Sequence, residues 1–184
     1  MRWERLFDDV EGQLEAAARA ELAGEVADRT RREVARLRLV DRLRASLGAQ
    51  LTVTVAGAGA LTGRLERVGP DWLLLLPPSG PPALVVREAV QAVAGLPRAT
   101  TEPGSDGPVL SRLDLGHALR AIARDRSPVS VLLRDGSQLD GTVDRVGADF
   151  IDVALHPAGE PRRDAAVRAV SCVAMTGLSM VRPS

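Results

Sequence analysis

The chain has 184 residues, 45% of them hydrophobic, which is enough apolar side chain for one globular domain or two small ones. Its 24 basic residues, all arginine, are balanced by 24 acidic residues, and a formal net charge of zero argues against a dedicated nucleic-acid binder. Aromatic residues make up only 2% of the chain, so a platform for stacking bases is not expected.

The cysteine content and the hydropathy exclude further classes. A single cysteine, Cys172, excludes an intramolecular disulfide and a metal site with several cysteine ligands. Residues 1–5 do not form the apolar core of a signal peptide, and no apolar run approaches the roughly 20 residues of a membrane span. We therefore expect a cytoplasmic protein with no membrane contact.

One stretch of the chain is repeated. Residues 61–75 recur as residues 139–153, with apolar residues at matching positions. The identical pairs are Leu61/Leu139, Gly63/Gly141, Arg67/Arg145, Val68/Val146, Gly69/Gly147 and Asp71/Asp149. Because each copy of an internal repeat is one folding unit, the duplication predicts that one structure is built twice.

The repeated glycines are interpreted as structural. Gly63 and Gly141 lie inside predicted strands, where glycine indicates a sharp bend or a close backbone approach. Gly69 and Gly147 lie at predicted turns, where a positive φ favours glycine.

The chain begins with a predicted helix and then changes to strands. Apolar residues recur over 2–47 at steps of three or four, which predicts a long amphipathic helix that stops near Gly48. A second amphipathic helix is predicted over 110–126. The predicted strands are 51–55, 61–68, 72–76, 84–86 and 90–93 in the first copy and 129–133, 139–146, 150–155, 167–170 and 172–175 in the second.

This pattern predicts the fold class and the domains. Five short strands joined by tight turns favour a small barrel, so we expect an α+β protein with a long N-terminal helix plus two five-stranded antiparallel barrels, each preceded by a helix. The predicted segments are an N-terminal helical region (1–48), a first barrel (49–96), a linker rich in proline and glycine (97–109), and a helix with the second barrel (110–184).

The second copy resembles the Sm-like (LSm, Hfq-like) barrel. Residues 131–143 contain an apolar strand, the Asp135-Gly136 turn and a strand with a glycine, in the order of the first Sm motif. The first copy matches over 53–65, with Gly57-Ala58 at the turn. The resemblance implies two Sm-like barrels that associate through edge strands, and a generic SH3-like barrel is the alternative.

The RNA-binding residues of that family are not matched. The loops that follow the second strand of each copy carry Asp71 and Asp149, whose carboxylates repel phosphate, and neither Arg87 nor Arg168 is followed by the glycine of the second Sm motif. The Tyr-Lys-His signature of bacterial Hfq proteins is also absent from the sequence.

No catalytic or metal site is predicted. Asp71 and Asp149 are interpreted as caps of their turns, and His117 and His156 lack partners that would converge on a substrate or metal. Cys172 is expected to be a small core residue. We therefore expect a protein that is not an enzyme and has no catalytic residues, cofactor or metal.

Two sets of residues are candidate binding sites. An apolar face near the N-terminus either packs on a barrel or docks a partner or sister subunit: Trp3, Leu6, Phe7 and Val10. The basic clusters are either solvated faces or contacts to phosphate or acidic proteins: Arg29, Arg31, Arg32, Arg36, Arg38, Arg162, Arg163 and Arg168.

These features predict an interaction or scaffolding protein. It is expected to bind a protein partner, or a second copy of itself, through the N-terminal helix and the barrel edges. The alternative is an RNA- or DNA-binding regulator that uses the arginine clusters. A third hypothesis, a small-molecule sensor in a groove between the barrels, has no sequence feature in its favour.

Overall fold

A computed structural model describes residues 19, 21–101, 113–160, 163 and 166–184. The chain divides into two compact units, Met1–Arg38 and Leu39–Ser184. The first unit contains helix α1 over residues 21–34. The second contains helices α2 (Leu39–Arg44) and α3 (Leu115–Asp125) and all of the strands described below.

Ten strands form one antiparallel sheet. In chain order they are β1 (Gln50–Val55), β2 (Gly59–Val68), β3 (Trp72–Leu76), β4 (Ala83–Val86), β5 (Val90–Ala94), β6 (Val129–Leu133), β7 (Gln138–Val146), β8 (Phe150–Leu155), β9 (Ala169–Ala174) and β10 (Leu178–Pro183). Across the sheet their order is β5-β1-β2-β3-β4-β10-β6-β7-β8-β9. The order within the two copies is therefore the same, because the last strand of each copy lies beside its first.

The prediction of a long N-terminal helix plus two five-stranded barrels is wrong. A barrel within the first copy would be closed by pairing β4 with β5, and these two described strands do not pair. Instead β4 pairs with β10 of the second copy, where Val181 lies opposite Leu84. An antiparallel ladder satisfies backbone N–H and C=O groups whichever copy supplies the strand. The copies consequently share one sheet and one cluster of buried apolar side chains.

The predicted N-terminal helix is also interrupted. Helix α1 ends at residue 34, a turn follows, and α2 begins at Leu39. Val40 and Leu43 of α2 are buried in the core of the sheet unit. Local helix propensity alone would let the helix continue, and the burial of these two side chains overrides it.

The end of the second copy differs from the predicted strands. The two strands expected at 167–170 and 172–175 are one strand, β9, and β10 was not predicted. Residues 178–181 of β10 are all buried, and this strand pairs with β4 on one side and β6 on the other. A strand covered on both faces lacks the alternation of polar and apolar residues that indicates a strand in sequence.

The glycines inside strands permit close backbone approaches, as predicted. At Gly141 a Cβ atom would overlap the carbonyl oxygen of Ala154, and Gly63 has an equivalent contact in the first copy. The register of β7 against β8 shifts just beyond Gly141, between Val143 and Arg145. A β-bulge of this kind bends the strand.

Gly69 and Gly147 have a different role from the predicted one. Neither has a positive φ. A Cβ atom at Gly69 would overlap the indole ring of Trp72, and one at Gly147 would overlap the ring of Phe150. Glycine is therefore required here to make room for an aromatic ring rather than to form a left-handed turn.

We predict that Gly141→Ala lowers the free energy of unfolding by about 1–3 kcal/mol, because the methyl group must displace backbone in a packed strand pair. Gly177→Ala is the matched control, since no atom lies within 4 Å of the position of its Cβ. This control is expected to change stability by less than about 0.5 kcal/mol. Urea unfolding measures both values, and equal effects of the two variants would contradict the packing argument.

Candidate interaction surfaces

The residues of the predicted N-terminal apolar face all lie outside the described part of the chain: Trp3, Leu6, Phe7 and Val10. The described part of the first unit has its own apolar side chains. Leu22, Val26 and Val34 of α1 are between 57% and 61% exposed.

The arginine cluster on α1 is mixed with acids. Arg29 forms an ion pair with Glu33 at 3.3 Å, and Arg31 forms one with Asp28. The Nε of Arg32 donates to the backbone oxygen of Asp28 at 3.3 Å. Exposed pairs of this kind stabilise a helix only slightly, but they neutralise part of the charge that would attract phosphate.

The remaining candidate arginines lie elsewhere in the chain. Arg36 and Arg38 follow α1, and Arg36 is exposed. Arg163 and Arg168 are exposed in the segment between β8 and β9, and Arg162 lies outside the described residues.

The two histidines have different surroundings. His117 is exposed on α3, whereas His156 is buried beside β7. The Nδ1–H of His156 donates to the carbonyl oxygen of Pro157 at 3.1 Å, because a carbonyl can only accept. Nε2 then accepts from the hydroxyl of Thr142 at 2.8 Å. Both ring nitrogens are therefore used within the fold.

No metal centre is formed by the residues that the structure describes, since no group of three or more His, Cys, Asp or Glu side chains converges there. Cys172 is exposed on β9, so its prediction as a core residue is wrong. Local desolvation, followed by the hydrogen bond and charge of Asp152, raises the pKa of the Cys172 thiol. The thiol therefore stays protonated at neutral pH and is a poor nucleophile.

The start of α3 connects the two copies of the repeat. The indole Nε1–H of Trp72 donates to the carbonyl oxygen of Leu113 at 2.7 Å. The backbone N–H of Leu115 donates to the Asp71 carboxylate at 2.8 Å. The Asp71 carboxylate thus caps the first turn of α3 together with the N-cap residue Asp114. Sequence reasoning missed this contact because α3 lies far along the chain.

The Asp71 carboxyl carries an electrostatic cost. Partial burial raises its pKa above the ordinary value of 3.8, against the opposing effect of the hydrogen bond from Leu115, and the nearby charge of Asp114 raises it further. Folding therefore makes this side chain easier to protonate than it is in the unfolded chain.

The two outer edges of the sheet have no strand paired to them among the described residues. Among the described strands, β5 pairs only with β1 and β9 only with β8. Neither strand contains a charged residue or a proline. Val170 of β9 is 58% exposed. Charged residues, prolines and covering loops are the usual protection of an edge strand against pairing. Strands β5 and β9 contain neither charged residues nor prolines.

These two edges are equivalent to the two strands that join the copies inside the chain. Each of β5 and β10 is the last strand of its copy and follows a 3-10 turn, Arg87–Ala89 or Met175–Gly177. Each of β4 and β9 precedes the same turn. In this comparison β9 corresponds to β4, and β5 corresponds to β10. The strands that pair inside the chain therefore have equivalents whose outer edges are open among the described strands.

We predict that Asp71→Asn raises the free energy of unfolding at neutral pH. A carboxyl whose pKa is raised on folding stabilises the protein below its unfolded value of 3.8 and loses that contribution as pH rises through the folded value. The amide keeps an oxygen acceptor for Leu115 and carries no charge. The advantage is therefore expected to disappear in urea titrations below pH 3.8.

Asp71→Ala is the control for the hydrogen bond, because it removes both the charge and the acceptor. It is expected to be less stable than Asp71→Asn at every pH. A less stable Asp71→Asn variant at neutral pH would show that the charge itself is favourable.

No helix among the described residues is long and apolar enough to cross a membrane. Comparison of the chain with protein-family models, with curated proteins and with solved structures gave no match.

Proposed function

We propose that this protein is a non-enzymatic interaction module that associates by strand pairing at the outer edges of its sheet. The best-supported partner is a second copy of the chain, with β9 of one copy beside β5 of the next. The observation that carries this proposal is the internal pairing of β4 with β10, which joins the equivalent strands.

The chemistry of the two edges favours such an association. The outer edge of an antiparallel strand presents N–H and C=O groups that an added strand can satisfy. The edge side chains carry no charge that would repel the added strand. A contact between two different edges is heterologous, so repeated association gives a closed ring or an open filament.

The internal pairing also gives the register between copies. Inside the chain, Val181 lies opposite Leu84. Val181 is the fourth residue of β10, and its equivalent is Val93, the fourth residue of β5. Leu84 is the third residue from the end of β4, and its equivalent is Cys172, the third from the end of β9. The same register therefore places Val93 of one copy opposite Cys172 of the next.

The contact between copies lacks one interaction of the internal junction. Inside the chain, Glu88 forms an ion pair with Arg134 at 3.6 Å. The equivalent positions at the outer edges are Thr176, the second residue of its 3-10 turn, and Ala56, the residue after β1. An exposed ion pair contributes little to affinity and more to the choice of partner. Association between chains is therefore expected to be reversible.

The alternative of nucleic-acid binding by the candidate arginine clusters has less support, because Arg29 and Arg31 are already paired with acids. Trp3, Leu6, Phe7 and Val10 remain candidates for contact with a protein partner. We place the association in a reducing compartment such as the cytoplasm, which suits a chain whose only cysteine is exposed on a sheet edge.

A cysteine placed on β5 tests the register. We predict that mild oxidation of the Val93→Cys variant produces a ladder of disulfide-linked chains on non-reducing gels, because directly opposite Cα atoms in an antiparallel pair are about 4.5–5.5 Å apart, within disulfide reach. Mass spectrometry is expected to locate the bond between position 93 and Cys172. Ser79→Cys, in the exposed loop between β3 and β4 and therefore on neither outer strand, is the control. Links only between two Cys172 residues would contradict the head-to-tail arrangement.

Two edge-blocking variants test which edges meet. Ala92→Lys places a charge on β5 and Val170→Lys places one on β9, and both positions are exposed. We predict that each variant alone is monomeric and that an equimolar mixture forms a one-to-one dimer, because each variant keeps open the edge that is blocked in the other. Light scattering measures the molar mass of each sample. Ser79→Lys, in the exposed loop between β3 and β4, is the charge control and is expected to associate like the unmodified chain. Self-association of Ala92→Lys alone would mean that β9 pairs with β9.

A further inference from the structure

A groove lies between α3 and β7, away from both sheet edges. Its volume is about 540 Å³, and its polar lining consists of His117, Arg120, Arg124, Arg126 and Asp144. His117, Arg120 and Arg124 are spaced by three and four residues, which places them on one face of the helix. The opposite face of α3 is anchored in the core by Leu115 and Leu119.

The positive charges of this groove are available to a ligand. Arg120, Arg124 and Arg126 are exposed, and none of them forms an ion pair with a residue that the structure describes. Like charges four residues apart on a helix repel each other. The negative end of the helix dipole offsets this repulsion for Arg124 and Arg126.

Arg126 occupies a position that favours glycine. It ends α3 with a φ of 56°, and it is the one residue other than glycine with a positive φ in the described part of the chain. A left-handed conformation costs an L side chain about 1–2 kcal/mol, and glycine is the usual residue at this point of a helix. Arg126 thus holds a strained backbone conformation at a position that lines the groove.

We propose that this groove binds a compact anion that carries two or more linked phosphate groups. Guanidinium groups form paired hydrogen bonds with phosphate oxygens, and three arginines line this groove together with a histidine. The volume is that of a small-molecule site. A nucleic-acid strand fits less well, because the lining contains no Trp, Tyr or Phe, the large rings on which successive bases stack.

Asp144 sets a limit on the charge of this groove. Its carboxylate lies on the β7 wall and opposes the binding of an anion, while it attracts the same guanidinium groups. Removing this negative charge without changing the shape is therefore expected to strengthen anion binding. The groove thus offers charge variants with opposite expected effects.

Calorimetric titration of the full chain with inorganic tripolyphosphate tests the proposal. At near-physiological ionic strength we expect one site per chain. The Arg120→Ser, Arg124→Ser double variant is expected to bind at least about tenfold more weakly, because it loses charge-assisted hydrogen bonds. Asp144→Asn is expected to bind several-fold more tightly. Arg67→Ser with Arg98→Ser, which removes the same charge outside the groove, is expected to bind like the unmodified chain.

A variant at the helix end separates binding from stability. Arg126→Gly is expected to unfold at a higher temperature, because the strain is relieved, and yet to bind tripolyphosphate more weakly. The absence of binding by the unmodified chain, or an equal loss in the Arg67→Ser, Arg98→Ser control, would overturn the proposal. Stronger binding of single-stranded RNA through Arg120 and Arg124 would also overturn it, in favour of a nucleic-acid groove. The monomeric Ala92→Lys variant is expected to bind normally, which makes this test independent of strand pairing.

Discussion

The pairing of β4 with β10 is the contact on which the rest of the structure depends. It places β10 at the centre of the sheet, where both of its edges are paired and residues 178–181 are buried. It also brings the turn between β2 and β3 beside the start of α3, where Asp71 and Trp72 complete the junction. Because each copy gives one strand to the other, neither copy closes on itself, and β5 and β9 remain at the two ends.

The two copies of the repeat make different contacts with the rest of the chain. The backbone carbonyl oxygens of Asp71 and Asp149 accept equivalent hydrogen bonds, from Arg87 and Met175. The Asp71 carboxylate in addition caps a helix of the other copy. Trp72 uses its indole N–H across the junction, and the corresponding Phe150 has no donor to offer. The shared residues build the sheet, and the residues that differ distinguish the internal junction from the outer edges.

The described surfaces differ in the charge and reactivity of their side chains. The histidine that is buried uses both ring nitrogens within the fold, and the exposed cysteine has a raised pKa. The uncharged backbone edges of β5 and β9 offer hydrogen bonds to another strand. The unpaired guanidinium groups of α3 lie in a separate groove. One protein thus presents two chemically distinct surfaces that do not compete for residues.

The sequence by itself determined the duplication, the positions of the first eight strands to within about two residues, and the need for glycine at 63 and 141, because alternation and backbone crowding are local properties. Only the tertiary structure decided that β4 pairs with β10, that Cys172 is exposed, and that Asp71 caps α3. The physical reason is that all unpaired strand edges offer the same backbone groups. Their choice of partner depends on where remote segments lie, and a local pattern of side chains does not record it.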